Sequence, residues 1–276
     1  SSTSAPADND KKVLTIAQGG DITTFDMQNH NNGVTGAVLC NFSHGLVERA
    51  DEDNAWVCVL AKSYEMIDDS TWEFKLRDDV TWHNGDPFTA ADVKYTYERA
   101  ATDESLAENH IFKVIKEVQI IDDYTVRFAT DGPYPTLLSL LSKNGSQVMP
   151  SKYIEENGLD YYLEHPIGCG PYQFKEWVKD NVVVLERYDD YFGGTPYWDE
   201  VRFRAIPEAS TRVAELLTGN VDIIVNVPTN EWDRINTEEN TEMVLGNGTR
   251  IYNVIMKWNT SPTQNKQVRE AVAYAI

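Results

Sequence analysis

Residues 80–93, VTWHNGDPFTAADV, bring His83, Asp86 and Asp92 within ten positions of one another. An imidazole and two carboxylates are the raw material of a metal site or a general acid–base pair. The spacing argues against both, because no HxxxH or HExxH pattern supplies converging ligands. The same letters describe a turn running into a capped helix. Asn84-Gly85 tolerates positive φ, Pro87 stiffens the exit and Thr89 starts a helix with Asp92 in the capping-box position. On this reading His83 sits at a strand end beside solvent, without partners.

Other chemistry is weighed the same way. Gly168-Cys169-Gly170 lacks a third glycine and leads into a strand, so it cannot present helix amides to a phosphate. Cys169 and His165 could form a thiol–imidazole pair, but no orienting third group is in view. Four acid pairs, Asp68-Asp69, Asp78-Asp79, Asp122-Asp123 and Asp189-Asp190, fall at turns or strand ends, where solvated Asp is favoured. Two carboxylates facing a sugar would make a secreted glycoside hydrolase, the enzyme alternative. A surface adhesion or chaperone-like module is a third class.

Hairpins and helices must position these groups. KVLTIAQ (12–18) alternates as a strand and ends at Gly19-Gly20. Residues 64–80, 114–130 and 170–188 each read as two alternating strands around an Asp-Asp or Lys-Asp-Asn turn. Helices are expected from Thr89, over 210–219 with Gly219 as the C′ residue, and over 265–276. VDIIVNV (221–227) reads as a buried strand and RIYNVIMKWN (250–259) as another. Such a mixture is α/β with a strong antiparallel component.

Totals narrow the function. The 276 residues carry 24 Lys+Arg against 44 Asp+Glu, a net charge of −20. That surface repels nucleic acid and anionic lipid, so neither is an expected partner. No apolar run reaches membrane-spanning length. Residues 1–11, beginning SSTSAPADND, read as a flexible tether. Three cysteines, Cys40, Cys58 and Cys169, have no metal-ligand spacing, although Cys40 and Cys58 could pair if their strands met. Sequons stand at Asn41, Asn144, Asn247 and Asn259. The final helix stops in mid-pattern, so the chain is expected to be cut.

The order of motifs carries an identity. WEFKLRDDVTWHNGDPFTAADVKYTYERA is followed by HPIGCGPYQFKEW, then VVLERYDDYFGGTPYWDEVRFRAIPEASTRVAELLTGNVDIIVNVP and NKQVREAVAYAI. From about residue 12 to 276 this resembles the family 5 extracellular solute-binding proteins of peptide and nickel ABC importers. The resemblance implies a two-lobed, type II periplasmic-binding-protein-like architecture. Residues 12–249 would form the first lobe, with an antiparallel hairpin subdomain, and 250–276 a hinge-crossing strand and the first helix of a truncated second lobe. It implies a non-catalytic, extracytoplasmic monomer without cofactor or metal, lipid-anchored before Ser1 or periplasmic. Its partners would be a small-molecule or peptide ligand and ABC permease subunits. Short peptides are the expected ligand, with nickel complexes, glutathione and sugars as alternatives. Ligand contacts are expected from Gly19, Gly20, Asp21, Ile22 and Thr23, from His110 in SLAENHIF, from Asn226 and Val227, and from Tyr252 and Asn253.

Overall fold

The computed structural model describes residues 11–50, 55–246 and 254–276. The chain divides into two units, one through Thr241 and one from Glu242 to Ile276. In the first, β1 (Val13–Gln18) is followed by a loop and α1 (Gly33–Phe42). Asn32 caps α1, its side chain accepting the Thr35 N–H at 2.7 Å. The helix begins inside the polar, Asn- and Gly-rich stretch 26–36. A short ribbon, β2 (Val47–Arg49) and β3 (Trp56–Cys58), leads to the hairpin β4 (Ala61–Asp68) and β5 (Thr71–Leu76).

Next come α2 (Ala90–Thr102) and α3 (Asn109–Phe112), then the hairpin β6 (Ile115–Asp122) and β7 (Thr125–Thr130). Strands β4, β5, β7 and β6 form a four-stranded antiparallel sheet in that order. Trp72, Phe74, Val126 and Phe128 alternate inward and pack with Val93 and Tyr97 of α2, all buried. Each such large side chain contributes about 1.5–3 kcal/mol of burial. The Thr89–Asp92 capping box is present as expected.

Three short helices follow, α4 (Leu137–Leu141), α5 (Ser151–Asn157) and α6 (Leu159–Glu164). The third expected hairpin is β8 (Tyr172–Val178) with β9 (Val182–Arg187), and after it come β10 (Glu200–Ala205), α7 (Ala209–Leu217), β11 (Ile223–Ile224) and α8 (Trp232–Thr237). The second sheet has the order β11-β1-β10-β9-β8. Strand β1 is parallel to both its neighbours, β10 and β11, whereas β9 and β8 run antiparallel. Phe25, Leu39, Phe42, Val183, Leu185, Val201 and Phe203 fill the core on one of its faces.

Two strand expectations are corrected. Within 221–227 only Ile223 and Ile224 form a strand, and Ile223 and Val225 are exposed. β11 is a sheet edge paired to β1 alone, so the apolar run reflects a half-covered edge and not a buried centre. Of the strand expected over 250–259, residues 254–259 have no strand pairing, and Val254 and Ile255 are exposed. In the second unit α9 (Lys266–Tyr274) does form, with the Asn265 side chain accepting the Gln267 N–H at 2.9 Å.

Candidate functional site

The turn at 81–87 is built by local hydrogen bonds. Asn84 donates from Nδ2 to Asp86 at 2.8 Å and accepts the Asp86 N–H at 3.1 Å, with Gly85 at φ +86°. Asp92 is buried and accepts from the Ser151 N–H (2.8 Å), the Ser151 hydroxyl (2.7 Å), the Thr89 N–H (2.9 Å) and the Trp82 indole (3.3 Å). Burial pushes its carboxyl upward against those donors. Four donors from three segments mark Asp92 as a structural anchor.

His83 corrects the sequence reading more sharply. It is partly buried, and its Nδ1 accepts the Gly168 N–H at 3.0 Å. That bond fixes the tautomer, leaving Nε2 to donate to the Gly170 carbonyl at 3.0 Å. Its ring meets Phe42 and Tyr188 edge-on. Burial lowers the imidazole to about 4, so it is neutral at ordinary pH. The partners lie 85 and 87 residues away, out of reach of any spacing rule.

The remaining reactive groups are equally bound up. Cys169 is buried with its Sγ 3.6 Å from the Ser43 hydroxyl, and burial pushes the thiol to about 11. His165 is exposed and stacks on Tyr161, so no thiol–imidazole pair forms between them. Cys40, Cys58 and Cys169 are all free thiols. Asp68 accepts from Ser70, Asp122 from the Tyr124 N–H, and Asp78, Asp79 and Asp189 pair with Lys62, Arg77 and Arg187. Among the described residues no group of three or more His, Cys, Asp or Glu is placed to hold a metal ion, and no helix is long and apolar enough to cross a membrane.

A different region holds some of the residues expected to touch ligand. Because β1, β10 and β11 are parallel, their carboxyl ends emerge along one edge of the sheet, the place where open α/β sheets bind ligands. Gly19-Gly20 leave β1 there, Ile206-Pro207 leave β10, and Asn226-Val227 follow β11. Arg212 of α7 bonds to the second and third of these segments and lies beside the first. Its Nη1 donates to the Ile206 carbonyl at 2.7 Å and the Pro207 carbonyl at 3.0 Å, and its Nη2 to the Asn226 carbonyl at 3.4 Å. Arg212 as a residue is only 5% exposed, and no ion pair to it occurs among the described residues. Carbonyl dipoles offset part of the cost of burying that charge.

Each expected contact has a definite place. Gly19 is exposed and Gly20 half-buried. Asp21 turns inward, its Oδ2 accepting the Trp177 indole N–H at 2.9 Å and the Asp180 N–H at 2.7 Å. Ile22 is buried in the core, and the Thr23 N–H donates to the Thr35 hydroxyl at 3.1 Å. Asn226 is exposed at φ +57°, and the Val227 carbonyl accepts the Trp232 indole at 3.1 Å. Arg212, a residue that sequence reading passed over, thus bonds to Ile206, Pro207 and Asn226 and lies beside Gly19. A cation in the first turn of a helix opposes the helix dipole, and that mismatch was the available signal.

His110 belongs to a second cluster. It is exposed on α3, its Nδ1 3.0 Å from the Ala107 carbonyl. The Glu108 N–H donates to the Gln28 carbonyl at 3.2 Å, joining this helix to the loop after β1. Arg99 braces the same loop with two bonds to Asp26 (2.6 and 2.9 Å) and one to Gln28 (2.8 Å). His30 is buried there near the Glu108–Lys143 pair. Burial lowers its pKa, and neither ring nitrogen makes a well-formed hydrogen bond among the described residues. Tyr252 and Asn253 lie outside the described residues.

Two grooves of the first unit lie away from these strand ends. One of about 320 Å³ covers the outer sheet face around Lys175, Glu200 and Arg202. There the buried Glu200 pairs with Lys11 (2.9 Å), Lys175 (2.7 Å) and Arg202 (2.5 Å). Burial opposes its ionisation, but the three cations prevail and hold the carboxyl down to about 2. The other, also about 320 Å³, lies beside the 86–92 turn.

The family model for bacterial extracellular solute-binding proteins, family 5 Middle, matches residues 55–276. The glutathione-binding protein GsiB of Salmonella paratyphi A is 29% identical over 268 residues, 96% of this chain and 52% of GsiB. The chain thus spans about half the length of the curated relatives it matches. The periplasmic binding protein DppA of Helicobacter pylori, solved with the peptide STSA, matches with TM-score 0.76 and 27% identity over 83% of this chain and 49% of that one. MoaA of A. tumefacien R10, solved with mannopinic acid, matches with TM-score 0.80 and 25% identity over 96% of this chain and 55% of that one. The described fold corresponds to about half of a two-lobed periplasmic binding protein.

Proposed function

The chain belongs to the family 5 bacterial extracellular solute-binding proteins, and on that premise we propose that it captures short peptides for an ABC importer. Proteins of this family bind substrates for transport and are not enzymes, so the glycoside hydrolase alternative is set aside. The observation that carries the reading is the edge where three parallel strands end, with Gly19-Gly20, Ile206-Pro207 and Asn226-Val227 gathered around Arg212. Exposed glycine backbone suits an extended peptide, which is held largely by main-chain hydrogen bonds. Glutathione is itself a tripeptide, and the GsiB relatives are glutathione-binding proteins.

In this proposal residues 12–249 belong to one lobe and 250–276 to a second, and the ligand-bound form is recognised by permease subunits. Gly19, Gly20, Thr23, Asn226 and Val227 contribute mainly backbone and small polar contacts, and Asp21 and Ile22 hold the loop that presents them. His110, Tyr252 and Asn253 complete the set. The protein acts outside the cytoplasm as a lipid-anchored or periplasmic monomer.

The test is a thermal-stability screen of the full-length protein against di- and tripeptides, glutathione, nickel–histidine, mannopinic acid and simple sugars. A peptide or glutathione at a hundredfold excess over its Kd is expected to add about 2.7 kcal/mol of stability. Stabilisation by nickel–histidine, mannopinic acid or a sugar alone would overturn the peptide assignment. Turnover of any of them would count against a binding protein.

A further inference from the structure

We propose that His30 is an acid-sensitive latch between β1 and α1: on protonation its imidazolium takes the Glu108 carboxylate from Lys143, which is released to solvent. The latch works on the chain's own charges and does not depend on which ligand is carried.

The packing of His30 is the first observation. The residue is 4% exposed, and neither ring nitrogen makes a well-formed hydrogen bond among the described residues. An unpaired donor and acceptor are costly to bury, and an apolar side chain would fill the same space without that cost. What an imidazole adds is a charge that appears in mild acid.

The surroundings are the second. Asp26 on the same segment, Glu108 at the head of α3 and Lys143 after α4 all lie within electrostatic reach of the ring. The Asn32 backbone stands beside the ring and favours its protonated form. Both carboxylates already have a cation: Asp26 has Arg99 of α2, and Glu108 has Lys143.

The third is the inequality of those two pairs. Arg99 grips Asp26 with two bonds, at 2.6 and 2.9 Å. Its side chain is 12% exposed, against 28% for Lys143. A two-pronged guanidinium pair resists exchange, whereas an ammonium on a flexible stem returns readily to water. Glu108 is therefore the carboxylate that a charged His30 captures. Glu108 is itself buried, and the exchange leaves it paired throughout.

Burial holds the His30 pKa below the ordinary 6.5, so the Lys143–Glu108 pair persists at neutral pH and gives way in acid. The movement is local. Gln28 stays fixed, its Nε2 donating to the Thr96 carbonyl at 2.6 Å and its carbonyl accepting the Glu108 N–H at 3.2 Å.

The test is an NMR titration of the protein from about pH 8 to about pH 5, following the His30 ring, the Glu108 amide and the Lys143 side chain. All three are expected to shift with one midpoint below 6.5. His30→Gln should abolish the shifts at Glu108 and Lys143. Lys143→Gln removes the competing cation and should raise the His30 midpoint by about one pH unit, whereas Glu108→Gln removes the captured carboxylate and should lower it by about as much. The opposite signs let either variant decide the matter where the other folds poorly. A His30 ring that stays neutral throughout, or a titration that leaves Lys143 unmoved, would overturn the proposal. So would a midpoint that stays put or moves the wrong way in a folded variant.

Discussion

His83 and Gly168 are joined in both directions: the His83 N–H donates to the Gly168 carbonyl at 2.9 Å, and the Gly168 N–H donates to His83 Nδ1 at 3.0 Å. This reciprocal pair fastens the turn after β5 to the segment that enters β8, so the hairpin sheet and the five-stranded sheet share a clasp. Its chemistry requires a neutral imidazole, because a protonated Nδ1 cannot accept.

Stability should therefore fall in acid with a recognisable share from His83. Its folded pKa of about 4 lies below the ordinary 6.5. A depressed imidazole stabilises the folded chain above pH 6.5, and that contribution is lost as the pH falls through about 4. The gap corresponds to about 3 kcal/mol. Urea midpoints near pH 7 and near pH 4 should differ, and His83→Gln should shrink the difference. His30, shifted in the same direction, will leave some slope behind.

Gly168→Ala should not accumulate as folded protein. The new Cβ would lie 2.0 Å from the Phe42 carbonyl oxygen, a backbone atom that cannot swing aside. Gly170→Ala meets the Phe42 carbonyl carbon at 2.6 Å and should behave alike. A loss above about 4 kcal/mol is expected for either. Normal circular dichroism melting of both variants would contradict the packing described.

Asp92→Ala should destabilise by about 2–4 kcal/mol, because it leaves buried donors on Ser151, Thr89 and Trp82 without an acceptor. Ligand affinity should be unchanged once the folded fraction is accounted for. A selective loss of binding at full stability would instead give Asp92 a role at the ligand.

Asp21→Ala should loosen the loop after β1 by releasing Trp177 and the Asp180 N–H. A stability loss of about 1–3 kcal/mol and a change in Trp177 fluorescence are expected. Amide exchange should quicken at residues 19–23 and 179–181 together, since one carboxylate holds both.

What could be read from the sequence was mostly local. The three hairpins follow from alternation around turns whose partners stand a few residues apart, as in β4 and β5. The Thr89–Asp92 capping box is likewise complete within four residues. Contacts between distant segments were not legible: His83 needs Gly168, and Asp21 needs Asp180, 159 residues away. VDIIVNV misled because apolarity does not distinguish a central strand from an edge. STRVAELLTG showed its apolar positions, yet in the fold Arg212 is more buried than Leu216 and Leu217. Periodicity ranks residues by hydrophobicity, and a cation held by three carbonyls escapes that ranking.

The parallel pairing of β1 with β10 has a consequence for how the chain comes into being. Val13 pairs with Glu200 and Lys12 bonds to Asp199, a separation of 187 residues. A ribosome adding roughly 5–20 residues per second takes on the order of 10–40 seconds to cover it. For all that time the first strand synthesised has neither of its lasting neighbours, since β11 comes later still. The five-stranded sheet is thus closed late, long after the last strand of the hairpin sheet, β7, has been made.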